Sequence, residues 1–141
     1  MEIRKFHHDH RVSLRQLYLE SRTATFTWLD TRQFKLSDFE RDTDGEQIWV
    51  AVEGEDVIGF ISIWEPECFI HHLFVRPQKL RTGVGLKLLT IGKQYYSELS
   101  LKCLVANENA VGFYHSVGFT IVSTTENGLE SYHLMKLSTQ A

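Results

Sequence analysis

The chain has few of the features that mark secreted, membrane-spanning or disordered proteins. Its 141 residues include two cysteines and two prolines, and no apolar run approaches the length of a membrane span. The N-terminus has no apolar signal core. Cys68 and Cys103 each lie in an apolar run, which predicts buried free thiols and a reducing compartment. We therefore expect a soluble cytoplasmic protein with no membrane partner.

Excess positive charge is also absent. The net charge is −3, and because nucleic-acid-binding domains are normally basic, no nucleic-acid partner is expected. The hydrophobic share of 43% and the nine phenylalanines are enough for a globular core. At this length a single domain covering residues 1–141 is expected.

A zinc-finger spacing is missing as well. His7, His8, Asp9 and His10 follow one another, but this order suits neither one helix face nor a known finger pattern. We predict no metal, and we predict that Asp9 is the N-cap of the following helix.

Hydrophobic periodicity predicts the element order β-α-α-β-β-β-α-β-α-β-β. A strand at 2–6 precedes a helix at about 10–23, and Ser37 and Glu40 have the spacing of a capping box for a short second helix. Strands are predicted at 47–53, 57–64 and 67–75. The hairpins and crossovers together predict an α/β fold with a central mixed sheet of about seven strands and about four flanking helices.

An aromatic connector joins the first two predicted helices. Phe26, Trp28 and Phe34 suit the wall of a small-molecule pocket, and they suit a satellite core equally well.

The chain is organised around a strand, a basic loop, two glycines and a helix. The apolar segment 73–75 and Pro77 lead into Gly83 and Gly85. Amides of such a loop and of the helix's first turn have no partners within the helix and lie at the positive end of its dipole, so they can hold a phosphate. Lys79 and Arg81 add positive charge, and Thr82 adds a hydroxyl donor. The pattern matches neither a P-loop nor a dinucleotide fingerprint, and an ordinary turn is the alternative.

A second motif follows about two dozen residues later. Asn107 lies where a strand gives way to a helix, so its amide can cap the helix or reach a ligand. Tyr114 is seven residues further on, about two helical turns, and therefore lies on the same face.

Together the two motifs resemble the GNAT superfamily of N-acetyltransferases. The first resembles the family's strand, proline, glycine-loop and helix element. The second resembles its pattern of Asn107, Ala110, an aromatic-Tyr pair ending in Tyr114, and Gly118-Phe119.

The resemblance implies a function and a set of binding residues. It implies transfer of an acetyl group from acetyl-CoA directly to a primary amine of a small molecule or peptide, with a homodimer as one form of the protein. The backbone of Leu73, Phe74 and Val75 would pair with the pantetheine arm and polarise the thioester. Asn107 would also contact pantetheine, and Tyr114 would protonate the departing thiolate. The pyrophosphate would be held by the amides of the loop residues Arg81, Thr82, Gly83, Val84 and Gly85.

Two positions depart from the family pattern. Leu80 stands where a glutamine or arginine is usual, which predicts weaker cofactor binding. The expected glutamate base is also absent, and the candidates are Glu67, His71 and His72. In a regular strand Glu67 and His71 share one face and His72 takes the other. A non-catalytic acyl-CoA-binding or regulatory module and a plain interaction domain are the alternative functions.

Overall fold

The computed structural model describes residues 1–26 and 31–138. The predicted element order and the fold class, a mixed sheet of seven strands with four α-helices, are confirmed in these residues. No helix among them is long and apolar enough to cross a membrane. In chain order the elements are β1 (Glu2–Lys5), α1 (Arg11–Thr25), α2 (Asp38–Asp42), β2 (Gln47–Glu53), β3 (Asp56–Trp64), β4 (Phe69–Val75), α3 (Val84–Tyr95), β5 (Glu98–Leu104), α4 (Glu108–Ser116), β6 (Thr120–Thr125) and β7 (Tyr132–Ser138).

The sheet has the strand order β1-β2-β3-β4-β5-β7-β6. Neighbours are antiparallel except β4 and β5, which run parallel. Only two residue pairs join β4 to β5, Phe69 with Ser100 and Ile70 with Leu101. Beyond Ile70 the facing edges of these two strands are unpaired in the described residues, so a gap opens in the middle of the sheet.

Helices cover both faces of the sheet and bury two apolar clusters. The cluster beneath α3 includes Leu88, Leu89 and Phe119, and the cluster beneath α1 and α2 includes Leu14 and Phe39. Both cysteines are free thiols, Cys103 buried and Cys68 half-buried. Because apolar residues cover both faces, the central strands are fixed in place, and they position the groups at the gap.

The predicted N-cap at Asp9 is wrong. Asp9 lies inside a 3-10 turn, His8–His10, and α1 begins only after it. The Asp9 N–H donates to Nδ1 of His7, and the His7 N–H donates to Nδ1 of His10. The histidine rings therefore cap the 3-10 turn, and α1 itself begins at Arg11 without a side-chain cap.

The capping box of the second helix is also wrong. Ser37 has helical dihedrals and makes no capping hydrogen bond. The carboxylate of Asp38 instead accepts from the Lys35 N–H at 2.9 Å, and Glu40 pairs with Arg15. Asp38 thus bonds to the backbone just before the helix, and Glu40 makes a tertiary ion pair in place of the predicted cap.

The strand predicted at 67–75 starts late. Pro66 lies in a 3-10 turn, Glu65–Glu67, and Cys68 follows it in the left-handed region at φ 50°. Glu67 is therefore an exposed turn residue, outside β4. The predicted sharing of one strand face by Glu67 and His71 is wrong.

A bulge also interrupts β4 at His71. Ser62 of β3 pairs with His72, but the next residue, Ile63, pairs with Ile70, so His71 is an extra residue. Such an insertion turns neighbouring side chains away from strict alternation. The rings of His71 and His72 lie side by side, with centroids 4.1 Å apart, and the predicted placement of His72 on the opposite face is wrong.

The aromatic connector is described in part. Trp28 lies outside the described residues. Phe26 packs edge-on against Phe74, with ring centroids 6.3 Å apart, and Phe34 lies over the guanidinium of Arg22.

Candidate active site

An open cleft of about 1160 Å³ occupies the gap between β4 and β5. Its walls are the second half of β4, the loop before α3, the end of β5 and the first two turns of α4. The C-terminal end of α1 closes one side, where Phe26 reaches the cleft. The volume suits a ligand larger than an ordinary drug-sized molecule.

The floor of the cleft includes the unpaired edge of β4. Leu73, Phe74 and Val75 are half-buried and line the cleft. The Ser21 hydroxyl donates to the Val75 carbonyl at 3.3 Å, which ties this strand end to α1. An extended ligand with amide groups can therefore add to the sheet here as an extra strand.

The glycine loop forms one end of the cleft. Arg81 and Gly83 both have positive φ, 64° and 87°, and α3 starts at Val84 without a side-chain cap. The amides of the first turn are consequently free of helical partners and available to an anion. A Cβ on Gly85 would lie 3.5 Å from Phe113, an ordinary contact, so protein packing does not itself demand glycine there.

Not every predicted loop residue reaches the cleft. Arg81, Gly83 and Gly85 line it, whereas Val84 is buried in the core. The Thr82 hydroxyl donates to the Lys79 carbonyl within the loop, and Thr82 is outside the cleft lining. Among the described residues Arg81 makes no ion pair, so its guanidinium is available to a ligand.

Leu80 lines the cleft and is 56% exposed. The neighbouring Lys79 also lines the cleft, and its ammonium pairs with Glu53 at 2.8 Å. The loop therefore presents an apolar side chain where a polar one would face an anion.

Helix α4 carries both predicted polar residues of the opposite wall. The Asn107 Oδ1 accepts from the Ala110 N–H at 3.4 Å and caps the helix. This confirms the capping alternative, and Nδ2 has no hydrogen-bond partner in the described residues. Tyr114 also lines the cleft, and its ring packs against Phe113 and Phe119.

The surroundings of Tyr114 keep its phenol in the protonated form. Burial, and secondly the nearby Cys103 thiol, raises the pKa of Tyr114 above its ordinary value. Its hydroxyl has no hydrogen-bond partner among the described residues. The phenol therefore stays protonated across the ordinary pH range.

The bulged histidines occupy the other end of the cleft. The Nδ1 of His71 lies 2.5 Å from Oε2 of Glu46, whose side chain is only 5% exposed. This hydrogen bond, opposed by burial, raises the pKa of His71. A carboxylate accepts and does not donate, so Nδ1 carries the proton, and in the neutral ring Nε2 of His71 keeps its lone pair.

His72 is buried more deeply than His71. Its Nε2 donates to the Asp42 carbonyl at 3.1 Å, and its ring packs edge-on against Tyr18. Burial, and secondly the proximity of His71, lowers the pKa of His72 to about 4. The ring is thus neutral at physiological pH, with Nδ1 as its remaining acceptor.

A buried network holds Asp42 under the histidines. The Tyr18 hydroxyl donates to the Asp42 carboxylate at 2.8 Å, and the Arg22 guanidinium reaches both Asp38 and Asp42. Although partial burial acts in the opposite direction, hydrogen bonds from Arg41 and Tyr18 hold the pKa of Asp42 below its ordinary value. The Asp42 carbonyl is therefore a fixed acceptor for His72.

Of the three base candidates, the structure brings His71 and His72 to the cleft and leaves Glu67 in a turn outside it. Sequence reasoning missed Glu46. It lies in the loop before β2, 25 residues from His71, and no local pattern connects the two. Glu46 becomes a candidate only in the folded sheet, where its carboxylate contacts the ring of His71 on β4.

The comparisons with known proteins agree with this geometry. The family model described as "Acetyltransferase (GNAT) family" matches residues 11–119. The chain is 30% identical to the peptidyl-lysine N-acetyltransferase YjaB of Escherichia coli over 89% of its own length and 86% of that protein. The chain is also 37% identical to the peptidyl-lysine N-acetyltransferase YiaC of E. coli. That match covers 54% of this chain and 51% of the relative.

Solved structures have the same fold. The apo-form solution structure of E. coli YjaB superposes with a TM-score of 0.75 at 26% identity, covering 98% of this chain and 96% of that one. The PaiA N-acetyltransferase of Thermoplasma acidophilum, in complex with coenzyme A, superposes with a TM-score of 0.80 at 19% identity, covering 97% and 98%.

Proposed function

The chain belongs to the GNAT family of acetyltransferases, and on that premise we propose that it acetylates lysine side chains of peptides or proteins. Acetyl transfer to nitrogen is the activity that the family and its named relatives support. The lysine acceptor is proposed because the relative that aligns over 89% of this chain is named as a peptidyl-lysine enzyme. A cytoplasmic location and a homodimer remain predictions.

The cleft fits acetyl-CoA as the acetyl donor. Its unpaired β4 edge offers the backbone groups that a pantetheine arm needs, and its glycine loop offers free helix amides beside Arg81 for a pyrophosphate. When bound, acetyl-CoA supplies an activated thioester. The coenzyme A in the PaiA structure supports this fit.

The observation that carries the mechanism is that a proton acceptor and a proton donor line one cleft. We assign His71, oriented by Glu46, as the acceptor and Tyr114 as the donor. The amine nitrogen forms a bond to the acetyl carbon as the carbon–sulfur bond breaks. Its proton passes to Nε2 of His71, and the departing sulfur takes the phenol proton of Tyr114. Backbone amides of β4 polarise the carbonyl oxygen.

A peptide assay tests the proposed activity. Acetyl-CoA and a lysine-containing peptide are expected to yield free thiol and peptide mass increases in equal amounts. The same peptide with arginine in place of lysine is the control, because it removes the acceptor amine and keeps the charge. Binding of acetyl-CoA without thiol release would instead support the non-catalytic module.

The exposed position of Leu80 gives a prediction for donor binding. The Leu80→Arg variant is expected to bind acetyl-CoA up to about tenfold more tightly, because one added charge-assisted hydrogen bond contributes about 1.5 kcal/mol. Calorimetric titration of acetyl-CoA into both proteins measures this. Leu129→Arg, which changes an exposed leucine outside the cleft, is the control for added charge. Equal tightening in both variants would show that the gain is not local.

A further inference from the structure

Three potential metal ligands meet at the acceptor end of the cleft. Glu46, His71 and His72 each offer one ligand atom, and these atoms lie within 4.8 Å of one another. They come from two parts of the chain, the loop before β2 and the bulge of β4. The bulge is what brings both imidazoles to the same side as the carboxylate.

The carboxylate of Glu46 is incompletely satisfied. Its Oε2 bonds to His71, while Oε1 is buried and has no hydrogen-bond partner among the described residues. Buried polar atoms in proteins are normally paired with a protein group, a water or an ion. A cation bound beside His71 would provide that partner.

His72 has the orientation of a metal-binding histidine. Its Nε2–H donates to the Asp42 carbonyl, which leaves the lone pair of Nδ1 available. Metal-binding histidines characteristically donate their second ring N–H to a carbonyl or carboxylate, which fixes the tautomer and the ring orientation. The Tyr18 hydroxyl in turn holds Asp42, so this support exists without any metal.

We propose that Glu46, His71 and His72 form a binding site for a divalent transition-metal ion of the Zn²⁺ type. Two imidazoles and one carboxylate favour such ions over Mg²⁺ or Ca²⁺, which prefer oxygen ligands. Tetrahedral bonds of about 2.1 Å place ligand atoms about 3.4 Å apart, which is inside the 4.8 Å within which the three ligand atoms already lie. The ion displaces the proton between Glu46 and His71 and binds Oε1 of Glu46, and its fourth position faces the cleft.

Occupancy of this site inhibits acetyl transfer. The ion engages the imidazole that accepts the amine proton and fills the space that the amine enters. Inhibition is therefore competitive with the acceptor amine and not with acetyl-CoA, whose phosphates bind at the other end of the cleft. The inhibition rests on the proposed function, whereas the binding of the ion does not.

Titration of tag-free, chelator-treated protein with Co²⁺ tests the site without any assay of activity. One equivalent is expected to bind and to produce the visible absorption of a cobalt site with low coordination number. His72→Gln and Glu46→Gln are each expected to weaken binding at least tenfold. Circular dichroism establishes that each variant is folded, and either folded variant suffices for the test.

His8→Ala is the matched control. His7, His8 and Asp9 form the other cluster of possible ligands in the described residues, and all three are exposed. The variant is expected to bind Co²⁺ as the wild type does. Loss of the signal in His8→Ala with retention in His72→Gln would overturn the proposal, as would failure of the wild type to bind Co²⁺ and Zn²⁺ at millimolar concentration. Zn²⁺ binding without inhibition would overturn the inhibitory role alone.

Discussion

Tyr114→Phe is expected to lower kcat for acetyl transfer by about 10²-fold or more, the usual contribution of a general acid. The phenylalanine ring fills the same space and loses only the proton that the departing sulfur requires. The KM for acetyl-CoA should change little, because the proposed binding contacts lie on β4 and the glycine loop. Steady-state thiol release at several donor concentrations separates the two parameters.

The loss is not expected to come from unfolding. The Tyr114 hydroxyl has no hydrogen-bond partner among the described residues, so its removal leaves no group unpaired, and the melting temperature should stay unchanged. Tyr95→Phe is the matched control, because Tyr95 is exposed on α3 and outside the cleft. Equal kcat values for Tyr114→Phe and wild type would remove the phenol from the acid role.

Sequence reasoning placed most residues of the glycine-loop end along one cleft, because that end is built from local rules. A proline-bounded strand, a glycine at a positive-φ position and an uncapped helix start follow one another within a dozen residues. Asn107 and Tyr114 are likewise related by helical spacing alone. Thr82 is the exception, since its hydroxyl turns back to the Lys79 carbonyl, and loop conformation is not encoded in residue spacing.

The acceptor end was predicted poorly because non-local contacts decide it. The bulge at His71 depends on how β3 and β4 pair, and it moves His72 to the same side as its neighbour. Glu46 meets His71 only after the three strands β2, β3 and β4 have paired. Glu67 was also a candidate base in the sequence, but Pro66 and the left-handed Cys68 hold it in a turn. Strict alternation predicts which face a side chain takes only where no residue is inserted into the strand.

The second large effect is expected at Glu46, the residue that sequence reasoning missed at the acceptor end. Glu46→Gln is expected to lower kcat by about 10²- to 10⁴-fold, although Glu46 need not touch the substrate. A glutamine amide can donate to Nδ1 of His71, which moves the ring proton to Nε2 and removes the lone pair that receives the amine proton. In a serine-protease triad the corresponding acid-to-amide change costs about 10⁴ in kcat through the wrong histidine tautomer.

The experiment compares two acceptors as well as two proteins. A peptide whose lysine is replaced by a less basic thioether analogue carries more neutral amine at the same pH, so it depends less on a proton acceptor. The kcat loss in Glu46→Gln should therefore be smaller with the analogue than with lysine. A purely structural effect of the substitution would reduce both acceptors equally.

Glu67→Gln provides the competing comparison within the same assay. Glu67 is exposed in its turn and outside the cleft, so its amide variant should retain the wild-type kcat with both acceptors. Wild-type kcat in Glu46→Gln together with a large loss in Glu67→Gln would reverse the assignment. The strand would then have to rearrange on substrate binding, because Glu67 does not reach the cleft in this conformation.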